Sequence, residues 1–265
     1  MYFSLLLLNK VEKNKEDITS LVREVALMNA PKKNITGEIC FLVRVYNEEK
    51  VVKNTLEMIL QKWYKNILVV NDGSSDHSRN ILEAFWDKII LINHYKNRGG
   101  WAALETWFEY IRRFGQTDFV CTFDADGQHD IGDLHIFLET FKNKKDIDIV
   151  LGSRFITKTN TNVWFIRKIV LKAGILFTYF ISNIKLTDSH NGYRVFRTKI
   201  LKEIKLKMDD MSYASEMIDI IANKKIIFTE VPVNIIYTEY SLSKWQSSWN
   251  AINIALKTIW YKFFR

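Results

Sequence analysis

The stretch Phe119-Val120-Cys121-Thr122-Phe123-Asp124-Ala125-Asp126-Gly127-Gln128-His129 decides how this chain is read. A β-favouring run, Phe119 to Phe123, ends on two carboxylates one residue apart. Alternate side chains of a strand share a face, so Asp124 and Asp126 can leave its end on the same side. Gly127 lets the chain turn, and Gln128 and His129 add two polar heads. Such a pair suits a hard divalent cation that is shared with substrate phosphates. The same residues also make an ordinary solvated turn, so their meaning depends on what surrounds them.

Working outward, the pattern repeats. Residues 38–46 (EICFLVRVY) read as a buried first strand, followed by Asn47-Glu48-Glu49 as the cap of a helix that runs through Gln61. A second strand, 67–70, breaks at Asn71-Asp72-Gly73-Ser74-Ser75-Asp76, and a helix follows to Trp86. A third, 89–92, leads to Asn97-Arg98-Gly99-Gly100 and a helix to Phe114. The opening stretch is the fourth strand, with a helix over 133–141 behind it, and 147–151 is a fifth that ends at Gly152-Ser153-Arg154. Five strand-then-helix units predict an α/β fold, a mostly parallel central sheet flanked by helices. A polar cluster follows every strand, and in such sheets ligands bind beyond the carboxyl ends of the strands. Five clusters along one edge favour a site over an isolated turn.

Beyond Arg154 the alternation stops. Residues 163–184 read as an apolar helix with Arg167, Lys168 and Lys172 near its start. A polar loop, 187–194, contains Asp188, Gly192, Tyr193 and Arg194. A helix over 213–222 carries Glu216, β structure surrounds Pro232, and a closing helix runs from about Trp245 to Phe264. Residues 10–35 read as a charged lead-in with a helix around 18–28. The domain reading is therefore a lead-in over 1–36, a catalytic domain over 37–245 and a C-terminal amphipathic helix over 246–265.

Charge and composition narrow the classes. Of 38 basic and 30 acidic residues, 16 and 8 lie beyond residue 162, so the first 162 residues balance and the whole +8 excess is C-terminal. A basic half implies an anionic partner: phosphate, a membrane surface or nucleic acid. Cys40 and Cys121 sit in apolar runs and read as buried small hydrophobes. The apolar run at 1–8 has neither a basic lead nor a small-residue cleavage site, so a secretory leader is not expected. No stretch reaches the roughly 20 apolar residues of a spanning helix.

Taken in order, Val45-Tyr46-Asn47-Glu48, Asn71 to Asp76, Asn97-Arg98-Gly99, Asp124 to His129, Gly152-Ser153-Arg154, Asp188 through Gly192-Tyr193-Arg194, and Ser243-Lys244 resemble the family 2 glycosyltransferases. The similar branch is that of dolichyl-phosphate mannosyltransferase and its bacterial relatives. The resemblance covers residues 38 to about 245. It implies the GT-A fold with C-terminal acceptor-side helices. It also implies a metal-dependent, inverting transfer from a nucleoside-diphosphate sugar, UDP- or GDP-linked, to a cell-surface glycan precursor or a polyprenyl-phosphate acceptor. Two departures stand out: Arg44 replaces the usual Pro before the Tyr-Asn-Glu run, and Asn71 replaces the first Asp of Asp-Asp-Gly-Ser.

With the resemblance in hand, residue types suggest roles. Tyr46, Asn47, Glu48 and Asp72 are expected to hold the nucleoside, since carboxylates accept hydrogen bonds from ribose hydroxyls and base N–H groups. Asp124, Asp126 and Gln128 are expected around Mg²⁺ or Mn²⁺. His129 is read as a surface or supporting residue that can also join them. Arg98, Arg154, Arg194 and Lys244 are candidate phosphate clamps, with surface ion pairs or loop charges as the plain alternative. Asp188 is the first candidate for general base and Glu216 the second; a lipid-phosphate acceptor is already ionised and would need neither. In the closing helix Trp245, Trp249, Ile252, Leu256, Ile259, Trp260 and Phe263 share a face, which suits either a membrane interface or packing on the domain or a second copy. A cytoplasmic protein, peripheral on the inner face of the membrane in the first case, is expected. A nucleotidyltransferase fits less well, because the loop after the first strand is acidic and glycine-free. A nucleic-acid binder has no use for the paired acids.

Overall fold

Seven strands close into one sheet in the computed structural model, which describes residues 2–156, 165–189, 191–206, 213–236 and Tyr240. In chain order the elements are α1 (Tyr2–Asn29), β1 (Ile35–Val45), α2 (Val52–Gln61), β2 (Ile67–Asn71), α3 (Ser78–Glu83), β3 (Ile90–Asn93), α4 (Gly100–Phe114) and β4 (Gly115–Asp124). They continue with α5 (Leu134–Asn143), β5 (Ile149–Ser153), α6 (Phe165–Ser182), β6 (Arg194–Arg197), α7 (Tyr213–Asn223) and β7 (Phe228–Pro232). The sheet order is β3-β2-β1-β4-β6-β5-β7, and every pair is parallel except the two made by β6.

Side-chain alternation divides the core in two. Cys40 and Leu42 of β1 join Val120 and Phe196 under Trp107 and Phe108 of α4. Phe41, Val43 and Val45 join Cys121 and Phe123 under Leu56 of α2 and Phe137 of α5. Because both faces are covered, the parallel strands are apolar throughout, which is why they read as continuous runs. The two cysteines are free and buried. Phe41 is paired with Cys121, so Cys40 and Cys121 are one position out of step and face opposite layers.

The reversed strand β6 shapes the site. It is inserted between β4 and β5 with Thr122 opposite Arg194. Running backwards, it brings its first residues, not its last, to the edge where β4 and β5 end. Gly192, just before β6, is thereby brought against Asp124.

Several boundaries differ from the sequence expectation. The N-terminal helix is far longer than 18–28 and belongs to the core, since Ala26, Leu27 and Ala30 pack with residues of α4. The Tyr110 hydroxyl bonds the Pro31 carbonyl at 2.5 Å, tying down the connection to β1. Asn47 does not cap α2, which starts later, at Val52 after Val51. Asn47 instead takes a left-handed backbone (φ 54°) and bonds a neighbouring loop. The third helix ends at Glu83, leaving Trp86 on an exposed turn. Lys244 and the closing helix lie outside the described residues. No described helix is long and apolar enough to cross a membrane.

Candidate active site

Three loops meet beyond the carboxyl ends of β1, β2 and β4. The first two are laced together. The backbone N–H groups of Asn47, Glu48 and Glu49 donate to Ser74 Oγ (3.0 Å), Ser78 Oγ (2.8 Å) and Asp76 Oδ2 (3.1 Å). In return Asn47 Oδ1 accepts from the Ser75 N–H (2.8 Å) and Glu49 Oε2 from the His77 N–H (2.9 Å). Tyr46 is exposed beside this lattice. The Tyr240 hydroxyl reaches back to Glu48 Oε2 (2.9 Å) and the Asn47 carbonyl (3.2 Å), so a residue from late in the chain closes on the first loop. Gly73 sits at φ +67°, and a Cβ there would stand 2.5 Å from the Asn97 backbone nitrogen. Only glycine fits that approach.

The third loop carries the acids. Asp124 is the last residue of β4 and Asp126 lies in the turn behind it. Thr55 of α2 donates to the Ala125 carbonyl (3.1 Å), and Asp126 Oδ1 accepts from the Gln128 N–H (3.0 Å). Asp124 Oδ2 lies 3.3 Å from His129 Nε2, and Oδ1 lies 3.9 Å from the Arg44 guanidinium. A Cβ on Gly192 would collide with Asp124 Oδ2, so glycine is what lets the backbone lie against the carboxylate at this point. Burial works to raise the Asp124 pKa, but the hydrogen bond and charge of His129, with Arg44 and Arg194, hold it down at about 2. Asp126 moves the other way: burial raises it, and the neighbouring charge of Asp124 raises it further. Negative charge is thus concentrated here, with Glu48 adding to it. Among the described residues no group of three or more His, Cys, Asp and Glu side chains is placed to hold a metal alone. Two carboxylates near enough for the charge of one to raise the pKa of the other fit a hard cation that completes its shell with phosphate oxygens and water.

Other expected site residues are engaged elsewhere. The buried Asp72 carboxylate accepts from the Arg98 N–H (3.0 Å) and the Gly99 N–H (2.9 Å) and contacts His94 Nδ1 (2.8 Å). It braces the start of α4 from across the sheet edge, where the helix dipole favours negative charge. Arg98 is engaged with the N-terminal helix. Its guanidinium donates to Thr19 Oγ1 (2.8 Å) and the Lys15 carbonyl (3.0 Å), clasping α1. We expect Arg98→Ala to cost about 1–3 kcal/mol and to make α1 the first site of limited proteolysis; an unchanged cleavage pattern would refute the clasp.

Arg154 and Asp188 find each other. Asp188 Oδ2 accepts from Arg154 Nε (2.6 Å) and the Arg154 N–H (3.2 Å), and the side chains are 7% and 1% exposed. Glu230, which sequence reading passed over, steadies this loop by accepting from the Thr187 N–H (2.8 Å) and the Asp188 N–H (3.1 Å). Arg194 is buried, donates to the Asn191 carbonyl (3.0 Å) and lines the cleft behind Asp124 with Arg44, Trp107 and Gly192. Glu216 lies in the first turn of α7, next to Met217 and Ile218 of the core. His129, read as a surface or supporting residue that could also join, lies against Asp124, and so does Arg44, which had no assigned place there. His129 looked exposed because its neighbours are turn residues; Phe123 and Tyr193 pack on its ring and Ile235 bridges to it, so it is buried.

Comparison with known proteins agrees with this architecture. The family model for glycosyl transferase family 2 matches residues 40–205. An uncharacterised protein of Methanocaldococcus jannaschii is 33% identical over 230 residues, 86% of this chain and 93% of its own. The UDP-N-acetylglucosamine–dolichyl-phosphate N-acetylglucosaminyltransferase of Methanococcus voltae is 30% identical over 78% of this chain and 88% of its own. The polyprenol monophosphomannose synthase of Mycolicibacterium smegmatis is 28% identical over 80% and 83%. Among solved structures, glucosyl-3-phosphoglycerate synthase from Mycobacterium tuberculosis, in complex with Mn²⁺, UDP-glucose and phosphoglyceric acid, superposes with a TM-score of 0.58. It is 10% identical, over 89% of this chain and 80% of that one, a likeness that shows the shared GT-A fold.

Proposed function

The chain belongs to glycosyl transferase family 2, and on that premise we propose that this glycosyltransferase moves a sugar from a UDP- or GDP-linked donor to a polyprenyl-phosphate acceptor. The observation that carries the choice of acceptor is the buried Arg154–Asp188 pair. A sugar hydroxyl must lose a proton as it attacks, which calls for an accessible carboxylate. Asp188, the first candidate, is enclosed and ion-paired with Arg154. A phosphate monoester is already ionised at neutral pH, so its oxygen attacks without a base. The names of the Methanococcus voltae and Mycolicibacterium smegmatis relatives support the same acceptor class.

In this reading the nucleoside rests against the laced loops, with Tyr46, Asn47 and Glu48 as its nearest contacts, and Asp72 keeps the loop behind them in shape. Asp124 and Asp126 would hold Mg²⁺ or Mn²⁺, with the Gln128 backbone fixing Asp126. When bound, the cation neutralises charge on the departing nucleoside diphosphate. Arg194, and Lys244 from the closing segment, contribute further positive charge to the phosphates. The acceptor phosphate oxygen forms its bond to the anomeric carbon from the side opposite the breaking sugar–phosphate bond, which inverts that centre. The basic C-terminal part of the chain would favour an anionic membrane surface, where such an acceptor resides.

The test is turnover of a mixed UDP- and GDP-sugar panel with polyprenyl phosphate in anionic vesicles. The product is expected in the lipid extract, to depend on Mn²⁺ or Mg²⁺, and to fall as added salt releases the protein from the vesicles. Label transferred only to a water-soluble glycan would exclude the lipid-phosphate acceptor.

A further inference from the structure

We propose that Arg44 couples cation binding to nucleotide binding by competing with the cation for Asp124. The inference rests on the reading of Asp124 and Asp126 as the cation site. Strands β1 and β4 are parallel, with Arg44 opposite Asp124 in register. Arg44 continues the face of Cys40 and Leu42 toward α4, where an apolar side chain would be expected. Its guanidinium lies 3.9 Å from Asp124 Oδ1, and both side chains are about one third exposed (31% and 32%).

The two oxygens of Asp124 are not equivalent. Oδ2 is taken by His129 Nε2 at 3.3 Å and crowded by Gly192. Oδ1 is therefore the oxygen left for a cation, and it is the one that faces Arg44. A fixed positive charge so close opposes a divalent ion at the same atom, although partial exposure screens the effect. The arrival of a nucleoside diphosphate changes the balance. Its phosphate oxygens offer the guanidinium a bidentate partner, and Arg44 already lines the cleft shared with Arg194. Arg44 then holds the nucleotide and no longer opposes the cation. Reciprocity of linked equilibria makes each ligand tighten the other through this residue.

The experiment is titration of Mn²⁺ by the EPR signal of the free ion, with and without UDP or GDP, on the wild type, Arg44→Gln and Arg44→Lys. Wild type is expected to bind Mn²⁺ weakly alone and more tightly with one of the nucleotides. Arg44→Gln is expected to bind Mn²⁺ alone roughly five- to tenfold more tightly and to show a nucleotide effect smaller by about that factor, the remainder being direct ligation of the cation by phosphate oxygens. Arg44→Lys, which keeps the charge, is expected to retain at least half of the coupling on a logarithmic scale. Mn²⁺ affinity and coupling in Arg44→Gln within twofold of wild type, or a wild type whose Mn²⁺ affinity neither nucleotide alters, would overturn the proposal. Asp124→Asn separates the two ideas. Loss of Mn²⁺ there with no change in Arg44→Gln removes the role of Arg44 alone, whereas Mn²⁺ retained by Asp124→Asn removes the cation site itself.

Discussion

Asp126→Asn is expected to lower transfer by at least about 100-fold without loss of the fold. Asn keeps the size of the side chain and an oxygen to accept from the Gln128 N–H, which Asp126 Oδ1 now does at 3.0 Å. What it removes is one of the two charges available to a cation. The sign of the stability effect follows from the raised pKa of Asp126, caused by burial and by the charge of Asp124. An acid whose folded pKa is raised adds stability below its unfolded pKa and loses it as pH climbs through the folded value. Above its folded pKa the ionised Asp126 therefore strains the ligand-free protein, and the neutral Asn relieves it. The midpoint of thermal unfolding should be no lower than that of the wild type, while the upward shift produced by Mn²⁺ with nucleotide should vanish. Wild-type turnover in a folded Asp126→Asn protein would remove the cation role assigned to this residue.

The second large effect is on stability. Arg154→Met is expected to destabilise the protein by about 3–5 kcal/mol, because it leaves the Asp188 carboxylate buried without its charge partner. For a chain of this size that corresponds to a fall in unfolding temperature on the order of 10 °C. The double variant Arg154→Met/Asp188→Asn should recover most of the loss, since it removes both charges from the interior. The cycle also bears on chemistry. If Asp188 were the base that activates an acceptor hydroxyl, the double variant would be stable and inactive. As a structural partner of Arg154, it should leave transfer to polyprenyl phosphate within roughly tenfold of wild type. A stable but inert double variant would return Asp188 to the acid–base role and the acceptor to a sugar hydroxyl.

The stretch from Phe119 to His129 carried its message in local rules alone. A period of two, an abrupt change from apolar to acidic and a glycine turn suffice to put two carboxylates at the end of a strand. The five strand–helix units were legible for the same reason, and so was the edge on which the polar clusters gather, because parallel strands all end on one side. Order within the sheet was not. The backward insertion of β6, which delivers Gly192 and Arg194 to Asp124, depends on pairings between distant segments that no local pattern records.

The same limit explains the individual side chains. Asp72 and Arg98 lie in loops that read as ligand-binding by type and position, yet Asp72 is spent on the N–H groups that open α4 and Arg98 on α1. Asp188 looked accessible in a polar loop and is enclosed by Arg154. Residue type determines what a group can bond; only the packing of non-adjacent segments determines which partner reaches it first and whether water or substrate still has access. Arg44 shows the converse. Within its own strand it reads as one polar interruption of a buried run, and it acquires meaning only because the register of β1 against β4 sets it opposite Asp124.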